Sequence, residues 1–119
     1  MVSESHIIYE TTFKAYYGFM FVRSDRRMIK IDFDAIVYIE SYSDYLKIHL
    51  NNETIVTRET ISAIEAKLPT DKFLRIHRSY IIAIKHISSF TNEEIIVQNK
   101  SLSISRSYRK EVLSILEKF

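Results

Sequence analysis

The chain has 119 residues, 46% of them hydrophobic and 27% charged, with one glycine, one proline and no cysteine. That composition fits one folded domain with one hydrophobic core, and it excludes a disordered chain, a disulfide scaffold and a thiolate metal site. The net charge of +2 is small but uneven: residues 1–71 hold 8 Lys/Arg against 11 Asp/Glu, and residues 72–119 hold 9 against 4.

No apolar run approaches the length that crosses a bilayer, so no membrane partner is expected. The opening MVSESHIIYE has no basic region followed by an apolar stretch and does not read as a signal peptide. The cytoplasm is the expected location.

Residues 1–20 have no clean period and read as a linker or N-terminal extension; the domain proper is expected over 21–119. GFMFVR (18–23) reads as a first strand, SDRR as a polar turn and MIKIDF as a second strand. Asp34-Ala35 makes a short corner, and IVYIE follows as a β-branched third strand. YLKIHL (45–50) alternates strictly, with Tyr45, Lys47 and His49 on one face and Leu46, Ile48 and Leu50 on the other. NNE turns the chain, and TIVTR returns as the partner strand.

From Thr60 the period changes. Ile61, Ile64 and Leu68 stand three and four apart, Thr60 is placed to cap, and Pro69 stops the segment: a short amphipathic helix. Phe73–Ile76 is extended and leads into HRSY. YIIAI and KHISSF read as strands, TNEE as a turn, and EIIVQ with SLSIS as a hairpin around Asn99-Lys100. From Arg106, the spacing of Tyr108, Val112, Ile115 or Leu116, and Phe119 predicts a C-terminal helix packed on a sheet. The fold class is therefore mainly β: a small sheet-rich domain of about eight to ten short strands, one short central helix and a C-terminal helix. A doubly wound nucleotide fold is excluded by the missing strand–helix alternation.

Catalytic motifs are missing. One glycine cannot build a phosphate loop, and His6, His49, His77 and His86 form no metal-binding helix signature. The serines have no nucleophile-elbow context. Glu40 and Asp44 could form a carboxylate pair, but charges at a strand end and loop are commonly just solvated. Neither an enzyme nor a cofactor is expected.

Two basic segments fit nucleic acid. Lys72 to Asn92 contains Lys72, Arg75, Arg78 and Lys85 and no acid; Ile95 to Lys110 contains Lys100, Arg106, Arg109 and Lys110 and no acid. RIHRSY puts Arg75, His77 and Arg78 where a loop meets a rigid strand, and arginine can hold guanine O6 and N7 together. SISRSYRK puts Arg106 at a strand-to-helix junction. Cations in a first helical turn oppose the helix dipole, which an anion would offset. Ser105 and Ser107 either add phosphate contacts or cap the helix. His77 has two readings: a half-buried imidazole that fixes a neighbouring loop, or a direct contact to DNA. A solvated basic face or a protein-interaction surface also fits these residues.

Taken together, IVYIESYSDYLKIHL, the helical turn ending in KLP, FLRIHRSYII and LSISRSYRKEV resemble the LytTR DNA-binding domain, from about Phe21 to Glu117. The resemblance implies a mostly β output module of bacterial two-component response regulators, with elongated antiparallel β-sheets, that binds duplex DNA through loops between elements. Carried over, it implies contacts from the loop Ser41, Tyr42, Ser43, Asp44 and Tyr45. Base edges would be read by Arg78 and Arg106, with Tyr42, Ser43 and Asp44. Lys72, Arg75, His77, Ser79, Lys85, Ser105, Ser107, Arg109 and Lys110 would hold the DNA backbone. It further implies a receiver domain, missing from this chain, a histidine kinase acting indirectly, and self-association on repeated sites. The chain then reads either as an output domain cut from a longer regulator or as a small constitutive DNA binder.

Two other readings compete. A protein-interaction or ligand-sensing β-domain would use the eight tyrosines and seven phenylalanines as core and interface groups, but leaves the acid-free basic segments unexplained. An RNA binder would need Tyr42, Tyr45, Tyr80 and Tyr108 exposed as stacking platforms, whereas Tyr80 and Tyr108 fall on the apolar phase of their elements.

Overall fold

The computed structural model describes residues 17–119, so most of the expected linker over 1–20 lies outside the described residues. Ten strands form three antiparallel sheets. β1 (Phe19–Ser24) and β2 (Arg27–Asp32) make a two-stranded hairpin. A five-stranded sheet follows: β3 (Ile36–Tyr42), β4 (Tyr45–Leu50), β5 (Thr54–Thr57), β6 (Phe73–His77) and β7 (Tyr80–Ala83), in the spatial order β5-β4-β3-β7-β6. β8 (Ile87–Phe90), β9 (Glu94–Val97) and β10 (Lys100–Ser103) make the third sheet. Two α-helices, α1 (Ile61–Glu65) and α2 (Arg106–Leu116), complete the described residues, with short 3-10 turns at Phe33–Ala35 and Ile84–His86.

The central sheet is covered on both faces, because residues directly opposite across an antiparallel pair share a face. Ile39, Ile48 and Ile81 align on one face and join a core closed by Met20, Val22, Ile31 and Phe33 of the first hairpin and Ile61, Ile64 and Leu68 around α1. Tyr38, Leu74 and Ile82 align on the other face. They join a second core with Ile95, Val97 and Leu102 of the third sheet and Val112 and Leu116 of α2. Tyr80 and Tyr108 are half-buried and pack against this second core. The body is elongated, 45 × 36 × 23 Å. Mainly β architecture with ten short strands, a short central helix and a C-terminal helix is what the alternation predicts.

Local chemistry explains most boundaries. The Thr60 hydroxyl accepts the Ala63 amide at 3.1 Å and starts α1. α1 ends at Glu65, and turns carry the chain to Leu68 and Pro69, so the helix is shorter than the apolar spacing implies. The β9–β10 turn sits on Gln98-Asn99, both at positive φ, one residue before the expected Asn99-Lys100. Val97 pairs with Lys100, which leaves Gln98-Asn99 as the two-residue loop. Phe119 lies past the end of α2 and is 81% exposed; the chain leaves the helix at Glu117 before the apolar stripe reaches it.

Candidate nucleic-acid interface

Five strand ends meet along one end of the central sheet. The β3–β4 hairpin turns through Ser43-Asp44, with Tyr42 paired to Tyr45 and Ser43 at φ 55°. The β6–β7 hairpin turns through Arg78-Ser79, with His77 paired to Tyr80. β3 and β7 are neighbours, and the Ser41 amide donates to the Ser79 carbonyl at 2.9 Å. The two tips are thereby fixed side by side. Beyond β6, the Ser105 amide donates to the Ile76 carbonyl at 3.0 Å, which anchors the start of α2 beside the same tip. At about 4.8 Å per strand, the row from β5 to β6 is roughly 19 Å wide.

Tyr42, Ser43, Asp44, Arg78 and Arg106 are all exposed at this end. The guanidinium groups of Arg78 and Arg106 have no hydrogen bond or ion pair among the described residues. Tyr42 carries Lys47 over its ring, 4.4 Å from the centroid. No acid occupies the first turn of α2, while Arg106 and Arg109 do. Arg109 is half-buried and sends one nitrogen toward the Ile104 carbonyl at 3.4 Å; its buried Nε has no partner. Ser105 is the N-cap residue by position but not by side chain; its hydroxyl lies 3.4 Å from that of Ser107. Lys110 is exposed on α2.

Beneath the Arg78-Ser79 turn lies Arg75, whose side chain is only 11% exposed. Its Nε donates to the His77 carbonyl at 2.7 Å, one terminal nitrogen donates to the Arg78 carbonyl at 2.7 Å, and the other bonds Glu65 of α1 at 2.6 Å. Its guanidinium also lies 5.7 Å from the Tyr108 ring. So Arg75, expected on the DNA backbone, is engaged inside the protein and shapes the turn.

His77 is likewise turned inward. Its Nδ1 accepts the Ser79 amide at 3.0 Å, and its ring lies 5.1 Å from that of Tyr80. Burial, with Arg78 and Arg75 nearby, lowers its pKa below the usual histidine value. A neutral ring with a free Nδ1 lone pair is what that hydrogen bond needs. Of its two readings, the geometry displays the loop-fixing one.

Lys72 and Lys85 are not brought to this end. They flank the Phe73–Ala83 pair at the opposite end of β6 and β7, where both approach Asp34, at 3.7 and 3.4 Å. The two lysines hold the Asp34 carboxyl below its usual range.

Sequence reasoning missed a third basic group. Arg23, Arg26, Arg27 and Arg58 are exposed around the β1–β2 tip and the end of β5. The signal was present in SDRR and TRE, but the acids elsewhere in the first 71 residues hid it in the charge balance.

Exposed loops held by a rigid sheet, with Arg78 and Arg106 unpaired and Asp44 the one acid in the turns, have the form of a nucleic-acid-binding module. Residues 26–117 match the family described as the LytTr DNA-binding domain, and the chain belongs to that family of DNA-binding, non-catalytic modules. It is 30% identical over 98 residues to the sensory transduction protein LytT of Bacillus cereus, covering 77% of this chain and 40% of that protein. It is also 32% identical over 82 residues to the transcriptional regulatory protein LytR of Staphylococcus aureus, covering 64% and 33%. The chain thus spans about two fifths of the length of the LytT relative. A solved LytTr DNA-binding domain of a putative methyl-accepting/DNA response regulator from Bacillus cereus superposes with a TM-score of 0.71 at 22% identity. The match covers 83% of this chain and 96% of that one, and shows the shared fold.

Proposed function

We propose that this chain binds duplex DNA sequence-specifically, as the output module of a bacterial two-component transcriptional regulator. The observation that carries the reading is the pair of unpaired guanidiniums, Arg78 on the β6–β7 tip and Arg106 at the start of α2 anchored beside it, at one sheet end. They read base edges, with Tyr42, Ser43 and Asp44 beside them; Asp44 suits a cytosine amino group. Ser79, Ser105, Ser107, Arg109 and Lys110 hold phosphates. Arg75 and His77 act through the turn they fix, as positioning residues. Lys72 and Lys85, at the far end with Asp34, have no part in this contact.

The relatives named as sensory transduction and regulatory proteins support a longer setting. In it, the segment before β1 links the module to a receiver domain that a histidine kinase phosphorylates in the cytoplasm, while Phe19 and Met20 of the expected 1–20 linker belong to β1. Pairing of two receivers then sets two modules on a repeated site and raises their effective concentration there. No helix among the described residues is long and apolar enough to cross a membrane.

The test is fluorescence anisotropy against a duplex selected from a randomised pool and against random duplex. Arg78→Ala and Arg106→Ala should each cut the selected-to-random affinity ratio by roughly 10- to 100-fold, as the loss of a bidentate base contact requires. An unchanged ratio in both variants would sink the base-reading assignment.

A further inference from the structure

The DNA-reading end continues past β5 into a cleft of about 810 Å³ between the β1–β2 tip and the β5 edge. Three hydrogen bonds tie this hairpin to its neighbours: the Ser24 hydroxyl donates to the Val56 carbonyl at 2.7 Å, the Arg23 amide to Glu59 at 3.2 Å, and Lys67 Nζ to the Phe21 carbonyl at 3.0 Å. Tyr45, the first residue after the Ser43-Asp44 turn, lines the cleft. Arg58 follows the Thr57–Leu46 pair, so it stands at the same end of the sheet as Arg78, with its guanidinium 5.2 Å from the Tyr45 ring.

The charges around the cleft are unequally matched. Glu59 is already engaged by Lys67 at 3.4 Å and by the Arg23 amide, and the remaining acid is Asp25. The guanidiniums of Arg23 and Arg26 have no hydrogen bond or ion pair among the described residues, and Arg58 has only the Tyr45 ring.

The turn itself is unusual. Ser24 pairs with Arg27, so Asp25-Arg26 is a two-residue hairpin loop with φ of 51° and 67°. Such a loop favours Asp-Gly or Asn-Gly, because a side chain at positive φ is strained. An arginine here accepts backbone strain and gains only a cation at the tip. Residues held in strained conformations cluster where they have work to do, which supports the same inference.

We infer that Arg26 and Arg58, with Arg23, form a lateral clamp for the phosphodiester backbone of DNA flanking the bases read by Arg78 and Arg106. This rests on the proposed DNA-reading function and extends it to a strand pair outside that row. The ligand is a polyanion because the cleft is continuous with the reading end and its free charges are three guanidiniums against the single carboxylate of Asp25. Met28, 53% exposed, and Val56, 43% exposed, give it an apolar floor suited to deoxyribose rather than to a base edge.

The experiment uses the full chain with Arg26→Gly, Arg58→Gln and the double variant. Arg26→Gly creates the favoured Asp-Gly turn, so its thermal midpoint should be equal to or above that of the parent. Affinity is read by anisotropy across a salt series, on the selected duplex with long flanks, on the same duplex trimmed to its core, and on random duplex. On flanked and random DNA each substitution should weaken binding by roughly three- to tenfold and make the slope of log K against log salt shallower by about 0.9. The selected-to-random ratio should not move, and the loss should shrink on trimmed duplex. Unchanged affinity and slope on flanked duplex, while Arg78→Ala still loses its preference, would remove the clamp and leave the reading intact. A changed ratio would make these arginines base readers and overturn the backbone role. Failure of the parent chain to bind any duplex would overturn the function and the clamp together.

Discussion

The two ends of the central sheet carry similar cations, partly neutralised at one end and unpaired at the other. At one end Lys72 and Lys85 converge on Asp34, which arrives from the 3-10 turn before β3. At the other, Arg78 and Arg106 stand with no acid against them. In the sequence the two lysines and Arg78 share a single acid-free run from Lys72 to Asn92. An acid-free stretch of chain is therefore not an acid-free surface: the hairpin spends its cations at one end and keeps them free at the other. Arg75 adds a third case, a guanidinium three residues from Arg78 whose donors are taken up by Glu65 and two turn carbonyls.

Arg75 is where this contrast breaks with the largest effect. Arg75→Ala should cost about 2 kcal/mol in urea unfolding, since it removes charge-assisted hydrogen bonds to a half-buried turn. The exposed Glu65 pair adds little to that figure. The same variant should lose selected-to-random preference although its own charge never meets DNA. A preference equal to that of the parent would mean that the turn keeps its shape without Arg75.

The next effect depends on pH. His77 has a lowered pKa in the folded chain, so as pH falls the unfolded chain takes up its proton first. The contribution of neutral His77 is thus fully present above its unfolded value near 6.5 and is lost as pH falls through the lower folded value. Between about pH 7.5 and pH 5 the parent should lose more thermal stability than His77→Gln, which holds the other histidines constant. Parallel curves for the two proteins would count against the Nδ1 hydrogen bond as a stabilising contact.

The smallest effects belong to the far end. Lys72→Ala and Lys85→Ala should each change stability by less than about 0.5 kcal/mol, because exposed pairs with Asp34 are weak. Neither should alter the salt slope of DNA binding. A slope shallower by about 0.9 in either variant would place that lysine on a phosphate and extend the interface around the body.

Local signals were legible in the sequence. The alternation of Tyr45–Leu50 gave the two faces of β4, Thr60 marked the start of α1, and HRSY and SRSYRK marked a loop–strand and a strand–helix junction that the fold brings to one sheet end. What was hidden depended on partners distant in the chain. Asp34 lies far before Lys72 and Lys85, and Glu65 reaches Arg75 from a different element, so no window along the sequence pairs them. The clamp arginines were hidden for another reason. Arg23, Arg26 and Arg58 sit among the acids of the first 71 residues, and a regional charge balance cannot tell which acids the fold places nearby.

The hydrogen bond from Ser41 to Ser79 has a consequence in time as well as in space. β3 joins β4 through a two-residue turn, but it joins β7 only after α1 and β6 have been made. The least local pairing in the central sheet is therefore the one that sets the two tips side by side, and such pairings are the slow ones to form. A chain still emerging during synthesis, or one whose sheet has parted between β3 and β7, carries the Tyr42, Ser43 and Asp44 tip apart from the tip that holds Arg78, and no joint reading surface. Its affinity for an operator then reports completion of the fold, and duplex bound across both tips should hold that seam shut.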